Sequence, residues 1–333
     1  LRVGNGALTL TGEVFLPSGR TGMALNRYDL SSPAYASYRI NNYNNSKQEE
    51  GIMIKPGNTW RGAKSKQLNR LLTIPVSHIS ELVRWILDYG GVPYREEGNV
   101  PMLHLLPFKL AGANVKAMPV LITNEATLCT IRESLQYIDA RLPAELRLYP
   151  SDAEGRAETE RLLVLLADKL GLATRNYGYA MLLPHQETVL SFWLQRVPAW
   201  QKWLAERAYP YIAKAMAKNL PADPGQVEPC KQQIEQVFAE LDALLTDGRA
   251  YLLGNQPSIA DYCLAALSAP VLLPEQFGGV QPTKELLPAA YLAFVDQLRA
   301  SPTGALALKM YREHRPAPAP VLDHHPTSTT PQN

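Results

Sequence analysis

Between Leu71 and Leu142 the apolar and polar positions change period in an orderly way. Leu71–Val76 is a short apolar run with the look of a buried strand, and Glu81–Asp88 repeats its apolar residues at helical spacing. Pro93–Glu97 follows as a second strand, so a βαβ unit with parallel strands and a right-handed crossover is expected. After an irregular segment, Pro119 opens another strand, in the first position, where no ladder N–H is needed. Asn124-Glu125 marks a turn, and a further helix closes the unit. Ser77-His78-Ile79-Ser80 falls where the first strand passes into its helix, so helix N–H groups and the positive end of the helix dipole meet the strand's carboxyl edge. Anions and thiolates favour such a place.

The remainder is dominated by helical periodicity. Tyr149–Gly155 is polar and is expected to be the linker between two domains. Beyond it, Leu162, Leu163, Leu166 and Leu170 mark one core-facing helix, and Ile234, Val237, Phe238, Leu241, Leu244 and Leu245 mark another. Leu190–Trp193 and Trp200–Trp203 flank Pro198 with large aromatics, expected to pack in the core or to wall an apolar substrate. Residues 1–67 show no sustained hydrophobic period and are expected to be a poorly structured extension; Met23 and Met53 lie inside it, so its leading part is expected to lie upstream of the true start. Residues 313–333 are rich in Pro and Thr and are expected to form a flexible tail, its His324-His325 pair incidental.

With 33 Lys and Arg against 31 Asp and Glu, the formal charge is +2, and no basic stripe interleaved with aromatics points to nucleic acid. Cys129, Cys230 and Cys263 lie far apart without metal-ligand spacing, so neither a disulfide framework, a zinc site nor any other metal site is expected, and a reducing cytoplasm fits. No apolar run approaches the length of a membrane span. No G-x-S-x-G elbow, G-x-G-x-x-G or P-loop is present, which counts against hydrolase and nucleotide chemistry.

Two local motifs carry specific expectations. Ser258 and Asp261 are spaced as a structural capping box ahead of the apolar run Tyr262–Leu267. Ser77 and Ser80 bracket His78, and one of these hydroxyls either caps the helix or donates to the thiolate of a bound thiol. Lowering a thiol pKa by about two units takes ~2.7 kcal/mol. One hydrogen bond to a charged group supplies ~1.5–3 kcal/mol and the helix dipole up to ~1 more, so a single serine is enough.

The Ser77–Ser80 turn with Val83-Arg84 downstream, Gly91-Val92-Pro93-Tyr94, Met118-Pro119-Val120-Leu121, Tyr137–Pro143 and the late box Ser258–Asp261 together resemble the cytosolic glutathione transferase family. The resemblance covers roughly 71–311. It implies an α/β thioredoxin-like domain over 68–148 followed by an all-helical domain over 156–312. It also implies a cis peptide before Pro119, with the Met118 backbone pairing strand-like with glutathione. Ser77 then takes the thiol-activating place. His78, Ser80 and Lys116 fall within the glutathione site, Lys116 toward a carboxylate. Family members carry an acidic residue followed by Ser about eleven residues after the cis-proline, to hold the γ-glutamyl group; here that count reaches Thr130-Ile131, and Glu133-Ser134 comes one turn later.

The function so implied is conjugation of glutathione, as co-substrate, to a small apolar electrophile by a cytoplasmic homodimer engaged in detoxification, with Ser77 as the activating group. The alternative is a non-catalytic protein of the same fold that binds a partner or hydrophobic ligand, its site altered at Thr130-Ile131.

Overall fold

The computed structural model describes the backbone of residues 2–4 and 7–9 and residues 68–114 and 118–316. Lys116, Met23, Met53, the rest of the N-terminal extension and His324-His325 lie outside the described residues. Two short strands, β1 (Arg2–Gly4) and β2 (Ala7–Thr9), pair antiparallel at the start of the chain.

The strand expected at Leu71–Val76 forms two residues earlier, as β3 (Asn69–Thr73). Pro75 has no N–H for a ladder, so the chain leaves the sheet before it. Helix α1 (His78–Tyr89) follows, capped by Ser77, whose Oγ accepts the Ser80 N–H at 3.3 Å. It ends where Gly91 turns left-handed at φ 61°, with the Val92 N–H returning to Leu87 O at 2.9 Å. Strand β4 (Tyr94–Gly98) then pairs parallel with β3, Leu71 opposite Glu96. The segment read as irregular holds a short helix, α2 (Leu105–Leu110), whose interior Pro107 hides it from pattern reading.

Strand β5 (Val120–Ile122) runs antiparallel to β3, Leu121 opposite Leu71, and a two-residue strand, β6 (Thr127–Leu128), pairs antiparallel with β5. The sheet order is β4-β3-β5-β6. Helix α3 (Ile131–Asp139) completes a β-α-β then β-β-α plan, which is the thioredoxin-like arrangement.

The helical half begins sooner than the polar composition of Tyr149–Gly155 indicates. Asp152 caps α4 (Ala153–Val164), its Oδ1 accepting the Gly155 N–H at 2.7 Å, and Asp139 Oδ1 holds the Leu148 N–H at 2.7 Å. The segment is a tied-down cap rather than a free linker. The helix expected through Leu170 changes to a π turn over Leu165–Gly171 before α5 (Leu172–Leu182). Then come α6 (Gln186–Trp193), α7 (Ala199–Asn219), α8 (Val227–Leu244), α9 (Ile259–Leu272), α10 (Ala289–Arg299) and α11 (Pro302–His314).

Helix α9 is the axis of this half, with all but Pro270 of its 14 residues buried. At its start Ser258 and Asp261 pair, the Asp261 N–H donating to Ser258 O at 3.0 Å. The buried Asp261 carboxylate accepts the Ser258 N–H, the Ser258 O–H and the Leu252 N–H, each at 2.8 Å. Phe192 and Trp193 are buried as core residues, but Trp200 and Trp203 are 49% and 56% exposed, which corrects the expectation of core packing for the second pair. On α7 the inward face is Gln201, Ala205, Tyr209 and Ile212, and the two tryptophans stand on the other side.

After β4, His104 is buried against Phe108, ring centroids 5.1 Å apart, and burial pushes its pKa down to about 4. The unfolded chain takes up this proton near pH 6.5 and the folded protein resists it, so His104 costs stability progressively as pH falls from about 6.5 toward 4. The stability of the wild type relative to His104→Gln is therefore expected to fall on acidification across that window. Urea titrations of both proteins at pH 7.5 and about pH 5 check it, and a pH-independent difference would show that the ring titrates freely.

Candidate active site

The registers bring three chain segments to one edge of the sheet. Strand β3 ends at Thr73 and leads through Pro75 to Ser77; antiparallel β5 begins beside it, just after Pro119; β6, antiparallel to β5, ends beside that start and leads through Cys129 to Thr130. The N-termini of α1 and α3 therefore open at the same edge, and Met118–Pro119, a cis peptide, lies between them. Ser77 and Met118 are half-buried, Pro119 is buried, Ile131 is half-buried, and Thr130 and Glu133 are exposed.

The predicted residues do not all present their side chains here. His78 turns into the seam with the helical half, where its Nε2 lies 3.0 Å from Gly171 O; burial, with Arg175 adding to it, lowers its pKa to about 3. The ring is neutral at physiological pH. Ser80 and Ser134 are fully buried. Thr130 caps α3: its Oγ1 accepts the Glu133 N–H at 3.1 Å, and Glu133 Oε2 accepts the N–H groups of Thr130 and Cys129 at 3.0 and 3.1 Å. The Glu133 carboxylate is thus engaged with its own helix terminus. Among the described residues named from sequence, Ser77 stands half-buried at the N-cap of α1 on this edge.

The helical half packs closely over the β3–α1 turn. The Val280 N–H donates to Pro75 O at 3.0 Å, and a Cβ on Gly279 would stand 2.2 Å from that same oxygen. From the other side, a Cβ on Gly98 would stand 2.2 Å from Arg196 O and 2.7 Å from Pro75 Cγ. Only glycine permits these two approaches. Gln201, fully buried on α7, donates to Asn99 Oδ1 at 2.8 Å and accepts the Val100 N–H at 2.7 Å. Two surface hollows do not include Ser77 in their lining: one of about 180 Å³ beside Leu273, Phe277 and Gly279, the other of about 250 Å³ beside Arg70, Ile122 and Asn124.

Beneath the turn lies an ion-pair cluster. Arg84 donates to Glu81 at 2.7 Å, to Glu96 at 2.9 Å and toward Pro75 O at 3.4 Å; Arg315, just past α11, donates to Glu81 at 2.8 Å and to Asp88 at 2.7 Å. Glu81 also accepts the Gly278 N–H at 2.9 Å. Burial opposes ionisation of Glu96, but Arg84 and the Thr73 hydroxyl outweigh it and hold the carboxyl below its ordinary range. Burial likewise opposes the charge on Arg84, and Glu96 and Glu81 more than compensate. Sequence reading passed over this cluster. Its signal was a charged pair at i, i+3 spacing, Glu81 and Arg84, set between the apolar residues Ile79, Leu82, Val83 and Trp85.

A thioredoxin-like sheet half followed by a helical half, meeting at the N-terminal end of α1, is the plan of the glutathione transferases, and this chain has that fold. Its residues 224–267 match the family model described as "Glutathione S-transferase, C-terminal domain". Among solved structures it is similar to the beta-etherase LigF of Sphingobium sp. strain SYK-6, with 17% identity over 74% of this chain and 99% of that one and a TM-score of 0.46. It is also similar to a glutathione S-transferase from Sinorhizobium meliloti, at 18% identity, 75% and 96% coverage and TM-score 0.42. A theta class glutathione S-transferase from Xanthomonas axonopodis pv. citri with glutathione bound is 16% identical over 72% and 96%, with TM-score 0.39. No curated protein matches the chain.

Proposed function

We propose that this protein activates the thiol of glutathione at Ser77 and joins it to a small apolar electrophile. The observation that carries the reading is a half-buried serine, Ser77, at the N-cap of α1, on the edge shared with Pro119 and the start of α3. Its oxygen accepts the Ser80 N–H, which leaves the hydroxyl proton to be donated to a sulfur anion. The thiol proton passes to solvent, the sulfur lone pair forms the new C–S bond, and in a displacement the leaving group departs with its electron pair. The Met118 backbone would pair with the cysteinyl part of the tripeptide as an added strand. A two-fold dimer in the cytoplasm belongs to the same reading. Among the described residues no helix is long and apolar enough to cross a membrane.

A second reading has its own observation. The mutual capping of Thr130 and Glu133 occupies the α3 terminus with a carboxylate of the protein itself, where a γ-glutamyl group would otherwise be held. That favours a fold kept for binding a partner or hydrophobic ligand. Retention on immobilised glutathione, with elution by free glutathione at millimolar concentration, is the result expected for the enzyme. Passage straight through such a column would leave the non-catalytic reading in place.

A further inference from the structure

Three large aromatic side chains stand open on one helix. Trp200, Trp203 and Tyr211 of α7 are 49%, 56% and 69% exposed, and the other large hydrophobics left open among the described residues, such as Leu110 and Leu286, are aliphatic and lie elsewhere. At about 100° per residue, Trp200, Trp203, Arg207, Tyr211, Lys214 and Lys218 fall within an arc of about 80° and succeed one another over about 27 Å. The opposite face is fixed to the protein by the Tyr209 hydroxyl, which donates to Leu183 O at 2.7 Å, and by the buried Gln201. Arg207 lies 4.4 Å over the Trp203 ring. The exposed charges of α7 are Lys202, Arg207, Lys214 and Lys218 against Glu206, a net +3 on a chain whose whole formal charge is +2.

Charge and residue type select the partner. A second copy of the same stripe would meet it with like charge. A protein partner would be matched by Trp, Tyr and Arg, but lysine is depleted at protein interfaces, and two of the six stripe residues are lysines. Trp and Tyr together with Lys and Arg are the set that settles at the headgroup level of a bilayer, where rings enter the interface and cations meet anionic lipid. We propose that the outer face of α7 docks this protein peripherally on an anionic phospholipid surface, independently of the Ser77 site.

Co-sedimentation of the full chain with vesicles of phosphatidylcholine alone, or mixed in equal parts with phosphatidylglycerol, tests this. Partition into the anionic vesicles only is expected, weakening as salt is raised, with a blue shift of tryptophan emission. Removing a cation should lower the partition coefficient about fivefold, so Lys214→Ala with Lys218→Ala should lower it about 25-fold. Trp200→Ser with Trp203→Ser should abolish the blue shift while leaving the circular dichroism unchanged, since both side chains are exposed. Equal partition into both vesicles, no partition at low salt, or undiminished binding of the lysine variant would overturn the proposal. Capture by polyglutamate without vesicle binding would overturn it in favour of an acidic protein.

Discussion

Replacing Arg84 with methionine is expected to remove about 3–5 kcal/mol of folding stability. Arg84 is 2% exposed and is shared by Glu81, fully buried, and Glu96, 12% exposed. Without it, Glu96 keeps only the Thr73 hydroxyl among its close partners, and Glu81 depends on Arg315 and the Gly278 N–H. The loss measures the penalty of stranded buried carboxylates rather than the net worth of the ion pair. Arg84→Lys should recover little, because one ammonium cannot reach two carboxylates and a carbonyl in the planar spread the guanidinium uses. Arg70→Met is the contrast. Its pair with Glu97 at 2.7 Å is 35% and 27% exposed, and its loss should cost less than about 1 kcal/mol. Urea midpoints at constant m-value read both effects; equal losses at the two sites would refute the distinction.

The second large effect concerns chemistry. If Ser77 holds the sulfur anion, Ser77→Ala should slow conjugation of glutathione about 50-fold at pH 6.5, where a thiol lowered by about two units is about half ionised and an ordinary one only about 1%. The deficit should shrink as pH rises past the ordinary thiol value near 8.5, because the thiolate then forms unaided. Ser77→Ala also removes the α1 cap, worth about 1 kcal/mol, and Ser77→Thr restores both the cap and a hydroxyl. Recovery with threonine, together with a pH-dependent deficit in alanine, separates activation from folding. Turnover of the alanine variant within threefold of the wild type at pH 6.5 would remove Ser77 from the reaction.

The parts of the fold that follow from local rules were legible. The β3–α1–β4 unit announces itself through an apolar run, a serine cap and Gly90-Gly91, and the Ser258–Asp261 pairing is visible from its spacing. Elements too short to show a period were not: β6 has two residues, and α2 carries a proline. The π turn over Leu165–Gly171 was also hidden, because its leucines repeat as they would in an ordinary helix. In the candidate site, Ser77 and Pro119 could be named from the sequence, whereas the burial of His78 and Ser80 could not. That of His78 sets its ring against Gly171, 93 positions away in the chain. The Arg315 end of the ion-pair cluster is more remote still, 234 positions from Glu81.

Helix α1 is buried at every position from His78 to Leu87. Trp85 meets Tyr262 edge to face, lies tilted against Tyr311 and donates to His314 O at 3.0 Å, so α11, the last helix among the described residues, is seated on α1. A helix without a wet side belongs to both neighbours at once. Cutting the chain near residue 150 would yield no transplantable module: the front piece would display a bare ridge of leucine, isoleucine and tryptophan with unquenched carboxylates among them, and the rear piece the matching trough. Exchange of one half among relatives therefore requires that α1 and the residues following α11 travel together.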